Sequence, residues 1–313
     1  MCYNIKGIGK KIKKGDRVDK KRAIAGKTRE ILREYQIRPA KRLGQNFLID
    51  QNILHKIITA GGVEAADTVI EIGPGLGSLT ELILNRTPAG KLYAIEKDQK
   101  LVAVLADLLA GYHNLVVINQ DVLAIDWPHF FAQHQLAEVS VKVMANLPYY
   151  ITTPVIMNLL ESGLKFKQIT LLVQKEVAAR MAAAPGGKDY GALSIAVQYH
   201  SKVEIVADVA PTVFIPPPQV DSTIISLYPY RNPPVKVSDQ AFFFKVVQAI
   251  FQQRRKNIKN ALSNSTLFRL SKEGIMEGLA RGGISPTLRG ENLSIAEIAQ
   301  LSDILKLMAV EQN

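Results

Sequence analysis

The sequence predicts an α/β fold: a mostly parallel, seven-stranded sheet with helices on both faces, followed by a small all-helical domain. Three observations carry this. Between residues 68 and 174, short apolar runs alternate with segments of helical periodicity, the pattern of parallel strands buried on both faces. After Pro233-Pro234 the strand signal stops, and residues 239–313 show helical periodicity. The 313 residues, 47% of them hydrophobic, suffice for one large or two modest domains with a real core.

Taken in order, residues 1–27 are Lys- and Gly-rich, hold few large apolar side chains and are expected to be disordered. A short helix is expected over 28–37, with Thr28 as its cap and Pro39 ending it. Asp50 caps a second helix over 50–61, with apolar residues at 53, 54, 57 and 58. Strands follow at 68–73, 91–96, 115–119, 141–145 and 168–174, with helices at 76–85, 99–110 and 153–162 between them. Two further segments, 192–200 and 222–229, alternate β-like residues and read as a closing hairpin around the Pro-rich stretch 207–220. The expected organisation is a basic extension (1–27), an α/β domain (28–235) and a helical domain (236–313).

Net charge is +11, and its distribution is informative. Residues 1–42 hold 15 Lys+Arg against 4 Asp+Glu, while the rest of the chain is neutral overall. A cationic arm is the footprint of a polyanion binder; a solvated tail without a specific partner has the same composition. A lone cysteine, Cys2, excludes a disulfide framework or a cysteine metal site, and no metal is expected. No apolar run approaches the roughly 18 residues of a membrane span, and the basic N-terminus lacks the apolar core of a secretion signal. A reducing, cytoplasmic setting is expected.

Residues 71–77 read Glu-Ile-Gly-Pro-Gly-Leu-Gly, between a strand and a helix. Gly73, Gly75 and Gly77 allow a sharp turn and close approach of backbone to a ligand. The spacing differs from the dinucleotide G-x-G-x-x-G, and no phosphate-binding lysine follows, which argues against a nucleotide triphosphatase loop. A tight strand–helix turn without a ligand would also look like this. Glu96, at the end of the next strand, could accept from both hydroxyls of a ribose, and Asp121, followed by Val122 after the third strand, from an adenine amine. Each acid alone reads as a surface residue. At the carboxyl ends of successive parallel strands they converge on one crevice, and together with the glycine loop they describe an adenosine-containing cofactor.

The most informative run is Asn146-Leu147-Pro148-Tyr149, where an apolar strand meets an amide, a proline and an aromatic ring. The Asn146 side-chain oxygen can accept from an amino group. Pro148 fixes the backbone and donates nothing, and Tyr149 offers a stacking face. By itself the run is equally a strand ending in a Pro turn.

With these pieces the chain resembles the ribosomal RNA adenine dimethyltransferases, the family that includes the kasugamycin-sensitivity methyltransferase. The resemblance covers roughly residues 28–310. It rests on LGQNFLID at 43–50, EIGPGLGSLT at 71–80, Glu96, QDVL at 120–123, NLPYYITTP at 146–154, FIPPPQVDS at 214–222 and FQQRRKNIKNAL at 251–262, in that order. It implies a Rossmann-like class I methyltransferase domain that uses S-adenosyl-L-methionine, followed by a helical domain. It also implies cofactor contacts from Asn46 and Leu48, with Gln45 as an additional one, from Gly73, Glu96 and Asp121, and from Asn146 near the methionine end. The acceptor implied is the N6 amine of two adjacent adenines in a hairpin loop near the 3′ end of small-subunit ribosomal RNA. The partner is that RNA or the pre-30S particle, met by a monomer. Asn146 and the Leu147 carbonyl would accept the amine protons, Tyr149 would stack on one face of the base, and Phe214 would supply the other face or be a core aromatic. Lys41, Arg42, Arg254, Arg255, Lys256 and Lys259 are candidates for phosphate contacts, although 254–259 also fits a solvated helix face. Residues 1–27 extend beyond the usual start, as an RNA-binding arm or a misassigned start. Three other readings stay open: a 23S ribosomal RNA adenine methyltransferase of the macrolide-resistance type, a non-catalytic RNA-binding assembly factor on the same fold, and a DNA amino-methyltransferase.

Overall fold

A computed structural model describes residues 20–40, 44–137 and 139–311. Most of the basic extension, with Lys41 and Arg42, lies outside these residues. Chain contacts divide the protein into two units. The first comprises the described residues up to Ala178 together with Glu204–Pro229; the second comprises Ala179–Val203 and the chain from Tyr230 onward. The helical unit thus takes in a segment that the sequence assigns to the α/β domain.

The first unit is built on α1 (Lys20–Glu34), β1 (Phe47–Leu48), α2 (Gln51–Ala60), β2 (Thr68–Ile72), α3 (Ser78–Arg86), β3 (Lys91–Glu96), α4 (Gln99–Leu108), β4 (Leu115–Asn119), α5 (Trp127–Gln133), β5 (Val141–Asn146), α6 (Thr152–Leu160) and β6 (Phe166–Gln174). Then come α7 (Lys175–Ala182), α8 (Ala192–His200), β7 (Ser201–Val209), β8 (Phe214–Ile215) and β9 (Ser222–Pro229). Seven strands form one sheet in the order β4-β3-β2-β5-β6-β9-β7. The first five of that list run parallel, and β9 pairs antiparallel to β6. Every residue of β2 is buried, as is β3 beyond Lys91, because helices cover both faces. Strand order reverses between β2 and β5, so a crevice opens at their carboxyl ends. Asp50 caps α2 as expected, accepting from the amides of Asn52 (2.8 Å) and Ile53 (3.1 Å).

Three local expectations need correction. Helix α1 starts before residue 28, and Thr28 is an interior residue, 2% exposed. Residues 24, 28, 31 and 35 share one helical stripe, so Thr28 faces the core and cannot cap. The expected strand over 192–200 is helix α8. Its apolar residues satisfy periods of 2 and 3.6 alike, and packing decides: Ile195 and Tyr199 join a core with Phe243 and Val246. The Ser194 hydroxyl accepts from the Gly191 amide (3.0 Å) and donates to the Arg180 carbonyl, which fixes the first turn. The partner of β9 at the sheet edge is instead β7, a largely exposed strand carrying Lys202, Glu204 and Asp208. Charges on an edge strand blunt self-pairing and erase the apolar alternation that announces a strand.

The second unit contains α9 (Gln240–Gln252), α10 (Ile258–Ser263), α11 (Lys272–Arg281) and α12 (Ile295–Glu311). Its core gathers Phe243, Ile250, Leu262, Ile275, Leu279, Leu301 and Leu305. Among the described residues no helix is long and apolar enough to cross a membrane.

Candidate active site

A cleft open to solvent lies at the carboxyl ends of β2, β3 and β5, and Gln120, Asp121 and Val122 beyond β4 also line it. It is lined by Gln45, Asn46, Leu48, Gly73, Gly75, Glu96, Asp121, Val122 and the whole run from Asn146 to Tyr149. The turn after β2 needs its glycines. Gly75 has φ +59°, and a Cβ there would lie 3.2 Å from the Phe47 ring. Gly77 (φ +83°) does not line the cleft: it caps α3, and a Cβ would meet the Leu105 side chain at 3.0 Å. Its role is to let the helix pack closely.

Glu96 is 8% exposed. Its carboxylate accepts from the amides of Gly75 (3.3 Å) and Asp98 (2.8 Å), which ties the glycine turn to the end of β3. Burial pushes this carboxyl up, and the amide bonds oppose that. Asp121 caps the short turn that follows it, accepting from the Leu123 amide (3.1 Å) and from Lys97 Nζ (2.7 Å). The Lys97 bond holds its carboxyl below the usual range. Gln45 is bound at both ends of its amide: Oε1 accepts from the Ala40 amide (2.8 Å), and Nε2 donates to Asp98 (3.1 Å). It braces the loop around residues 44–48.

Asn146 is the last residue of β5. Its Nδ2 donates to the Asn46 carbonyl (3.1 Å), which leaves Oδ1 as an acceptor on a side chain that lines the cleft. The two halves of the cleft are close together, since a Cβ on Gly73 would lie 3.7 Å from the Asn146 carbonyl oxygen. Pro148 starts a tight turn in which its carbonyl accepts from the Ile151 amide (3.1 Å) and the Thr152 hydroxyl (3.3 Å). Tyr149 is half-buried, and its hydroxyl lies 2.7 Å from Ser222 Oγ. Burial pushes the phenol up, and the Ser222 bond opposes this.

Phe214 is not in the cleft. Its ring is 3% exposed and packs in the core, paired with Leu48 across the short β1–β8 ladder. The side chain that the sequence offers as a second stacking face is thus spent on the core. Arg254, Arg255 and Lys256 are exposed at the end of α9 in the helical unit, with Lys259 partly exposed on α10. Arg254 pairs with Glu291 at 3.4 Å.

Two cleft residues, Tyr150 and Glu71, and one residue behind the cleft, Ser222, are not singled out by the sequence. Ser222, 0% exposed, connects the FIPPPQVDS run to Tyr149. Tyr150 lies at the mouth. Glu71, on β2, is 1% exposed, and its Oε2 has no hydrogen-bond partner among the described residues. Burial pushes Glu71 up from 4.5 to about 8, with the nearby Thr80 hydroxyl lowering it and Glu96 raising it further. Between those two values the folded chain holds a proton that the unfolded chain has released, so stability falls as pH rises through this window. Glu71→Gln should remove that slope, which is on the order of a few kcal/mol between pH 5 and 8. Urea midpoints for both proteins at the two pH values check this; parallel slopes would refute it.

Known proteins bear on this geometry. A family model described as ribosomal RNA adenine dimethylase matches residues 37–307. The chain is 55% identical over 296 residues to a ribosomal RNA small subunit methyltransferase A of Halothermothrix orenii, covering 95% of this chain and 98% of that one. It is 49% identical over 285 residues to the protein of the same name from Geobacillus thermodenitrificans, covering 90% and 96%. Among solved structures, a dimethyladenosine transferase from Plasmodium falciparum superposes with a TM-score of 0.69 at 27% identity, over 82% of this chain and 95% of that one. The 23S ribosomal RNA methyltransferase ErmE superposes at 0.63 over 83% and 100%, and at 23% identity it shows the fold alone. With the Rossmann-like sheet, the cleft at its switch point and a family match spanning both units, the chain belongs to the ribosomal RNA adenine dimethylase family.

Proposed function

We propose that this enzyme transfers methyl groups from S-adenosyl-L-methionine to the N6 amine of two adjacent adenines near the 3′ end of small-subunit ribosomal RNA. The products are dimethyladenosines, made as part of small-subunit maturation. The pre-30S particle is the proposed partner, with a monomeric enzyme in the cytoplasm. The observation that carries this reading is the Asn146 amide, whose nitrogen is engaged by Asn46 so that its oxygen remains to accept.

The residues present fit the cofactor. Glu96, held by two backbone amides, suits a ribose diol. Asp121 and Val122 suit an adenine edge and face. The Glu71 oxygen, without a partner among the described residues, is a buried acceptor that an N–H donor at the amino-acid end would satisfy. When bound, S-adenosyl-L-methionine supplies an activated methyl on a sulfonium. The adenine amine is a poor nucleophile because its lone pair is delocalised into the ring. Asn146 Oδ1 and the Leu147 carbonyl accept hydrogen bonds from its two N–H groups, which localises the lone pair and aims it. Positive charge that develops on nitrogen is stabilised by the same two oxygens. Once nitrogen carries the new methyl, one N–H proton becomes acidic and passes to solvent, so no strong base is needed. Tyr149, its hydroxyl anchored by Ser222, offers a ring face to a base taken out of its stack.

Arg254, Arg255, Lys256 and Lys259 are assigned to phosphates. Arg289 joins them, exposed on the segment whose Leu288 carbonyl accepts from the Ile258 amide (2.7 Å). Replacing Arg254, Arg255 and Lys256 with alanine should lower the slope of log affinity against log salt by about 2. An unchanged slope would remove these residues from the interface. The function itself is tested by incubating unmethylated 30S subunits and 23S RNA separately with enzyme and labelled cofactor, followed by mass spectrometry of the adenines. Dimethyladenosine confined to small-subunit RNA is expected; label in 23S RNA alone would overturn the assignment.

A further inference from the structure

Two tyrosines stand side by side at the cleft, and the structure treats them differently. Tyr149 is half-buried, with its hydroxyl on Ser222. Tyr150 lines the same cleft but is 56% exposed, among the most exposed large apolar side chains described. Its position is nonetheless defined. A Cβ on Gly44 would lie 3.5 and 3.6 Å from Tyr150 Cδ1 and Cε1, so the Cδ1–Cε1 edge of the ring lies beside Gly44, where no side chain intervenes. Gly44 has φ +58°, which glycine adopts without strain. The ring sits in a tight turn between the Pro148 kink and the start of α6.

An aromatic ring steadied along one edge and otherwise exposed to solvent is a platform for a flat, unpaired base. When one base of a single strand enters the pocket, the base next to it loses a stacking neighbour. The geometry points to a second base subsite: we infer that the ring of Tyr150 stacks on the nucleotide adjacent to the one being methylated. This rests on the proposed reaction, in which the acceptor bases are consecutive. The subsite recognises a base face, not a hydrogen-bonding edge. It therefore tolerates a neighbour in either methylation state, and one adenine can be held while the other is modified.

The test is steady-state methyl transfer to unmethylated 30S subunits by wild type, Tyr150→Ala and Tyr150→Phe, with cofactor affinity measured by calorimetry. Tyr150→Ala is expected to raise KM for the subunit roughly tenfold, equivalent to about 1.4 kcal/mol. Cofactor affinity and melting temperature should stay unchanged, and Tyr150→Phe should behave as wild type. An unchanged KM in Tyr150→Ala would overturn the subsite. So would a Phe variant as impaired as the Ala variant, or a loss of cofactor affinity, which would make the ring a support for the Gly44 loop. If wild type leaves the adenines of 30S subunits unmethylated, the underlying reaction has failed, an outcome distinct from any of these.

Discussion

Asn146→Ala is expected to slow methyl transfer at least roughly 100-fold, the scale of losing one transition-state hydrogen-bond partner. The side chain has two connections, and the substitution removes both. Oδ1 is the proposed acceptor for an amine N–H, and Nδ2 holds the carbonyl of Asn46 in the loop 44–48 that lines the cleft. The fold should persist, since Asn146 ends β5 and stays in backbone register with Leu172. Cofactor affinity should fall only a few-fold, because Glu96 and Asp121 keep their own partners. Asn146→Asp is a sharper probe. It retains acceptor oxygens, but it sets a carboxylate against the Asn46 carbonyl with no N–H between them, so the side chain must rotate away. Its rate should be impaired too, although hydrogen-bond acceptors are still present. Single-turnover transfer at saturating cofactor, with calorimetry for binding, separates the two effects. Near-normal turnover of Asn146→Ala would rule out the proposed role of its amide. The second methyl transfer, to an amine with one N–H left, should be the less sensitive step, because only one of the two acceptors can then be used.

Much of this cleft is legible in the sequence for a physical reason. Parallel strands that end at a crevice line it with the residues at the strand ends, so Glu96, Asp121 and Asn146 each announce themselves by following an apolar run. The glycine turn is legible because positive φ requires glycine at 73, 75 and 77. Other features depend on partners distant in sequence. Nothing local to Ser222 says that it meets Tyr149, 73 residues away. Nothing local to Phe214 says which side of a two-residue strand faces the core. Glu71 sits in the glycine run, yet its burial follows from sheet and helices closing over it. Helix α8 reads as a strand because it satisfies two periodicities, and strand β7 gives no signal of its own because, exposed at an edge, it has no clear periodicity.

The largest stability effect is expected at the opposite ends of the same strands. Lys142, on the central strand β5, is 3% exposed and lies 2.6 Å from Asp67, which is 8% exposed. The ammonium also donates to the Gly62 carbonyl, and the Asp67 carboxylate accepts from the Glu64 amide (2.7 Å). In register beside it, Gln168 donates to the Ala60 carbonyl and to Ser226 (3.1 Å). These groups fasten the end of α2 to the amino edge of the sheet. Lys142→Met would leave a buried carboxylate with one amide and no counter-charge, at a cost of about 3–5 kcal/mol. The melting temperature should fall by roughly ten degrees. The double variant Asp67→Asn, Lys142→Met should recover most of the loss, because a neutral, well-packed replacement for a buried pair is often no less stable than the pair. Since Lys142 lies beside Val69 while Asn146 lies beyond Ile72 and Ala145 in register, cofactor affinity below the melting transition should be unchanged in both variants. Equal destabilisation of the single and double variants would mean that the lysine acts through packing of its stem and the Gly62 bond, with the charge of Asp67 contributing little.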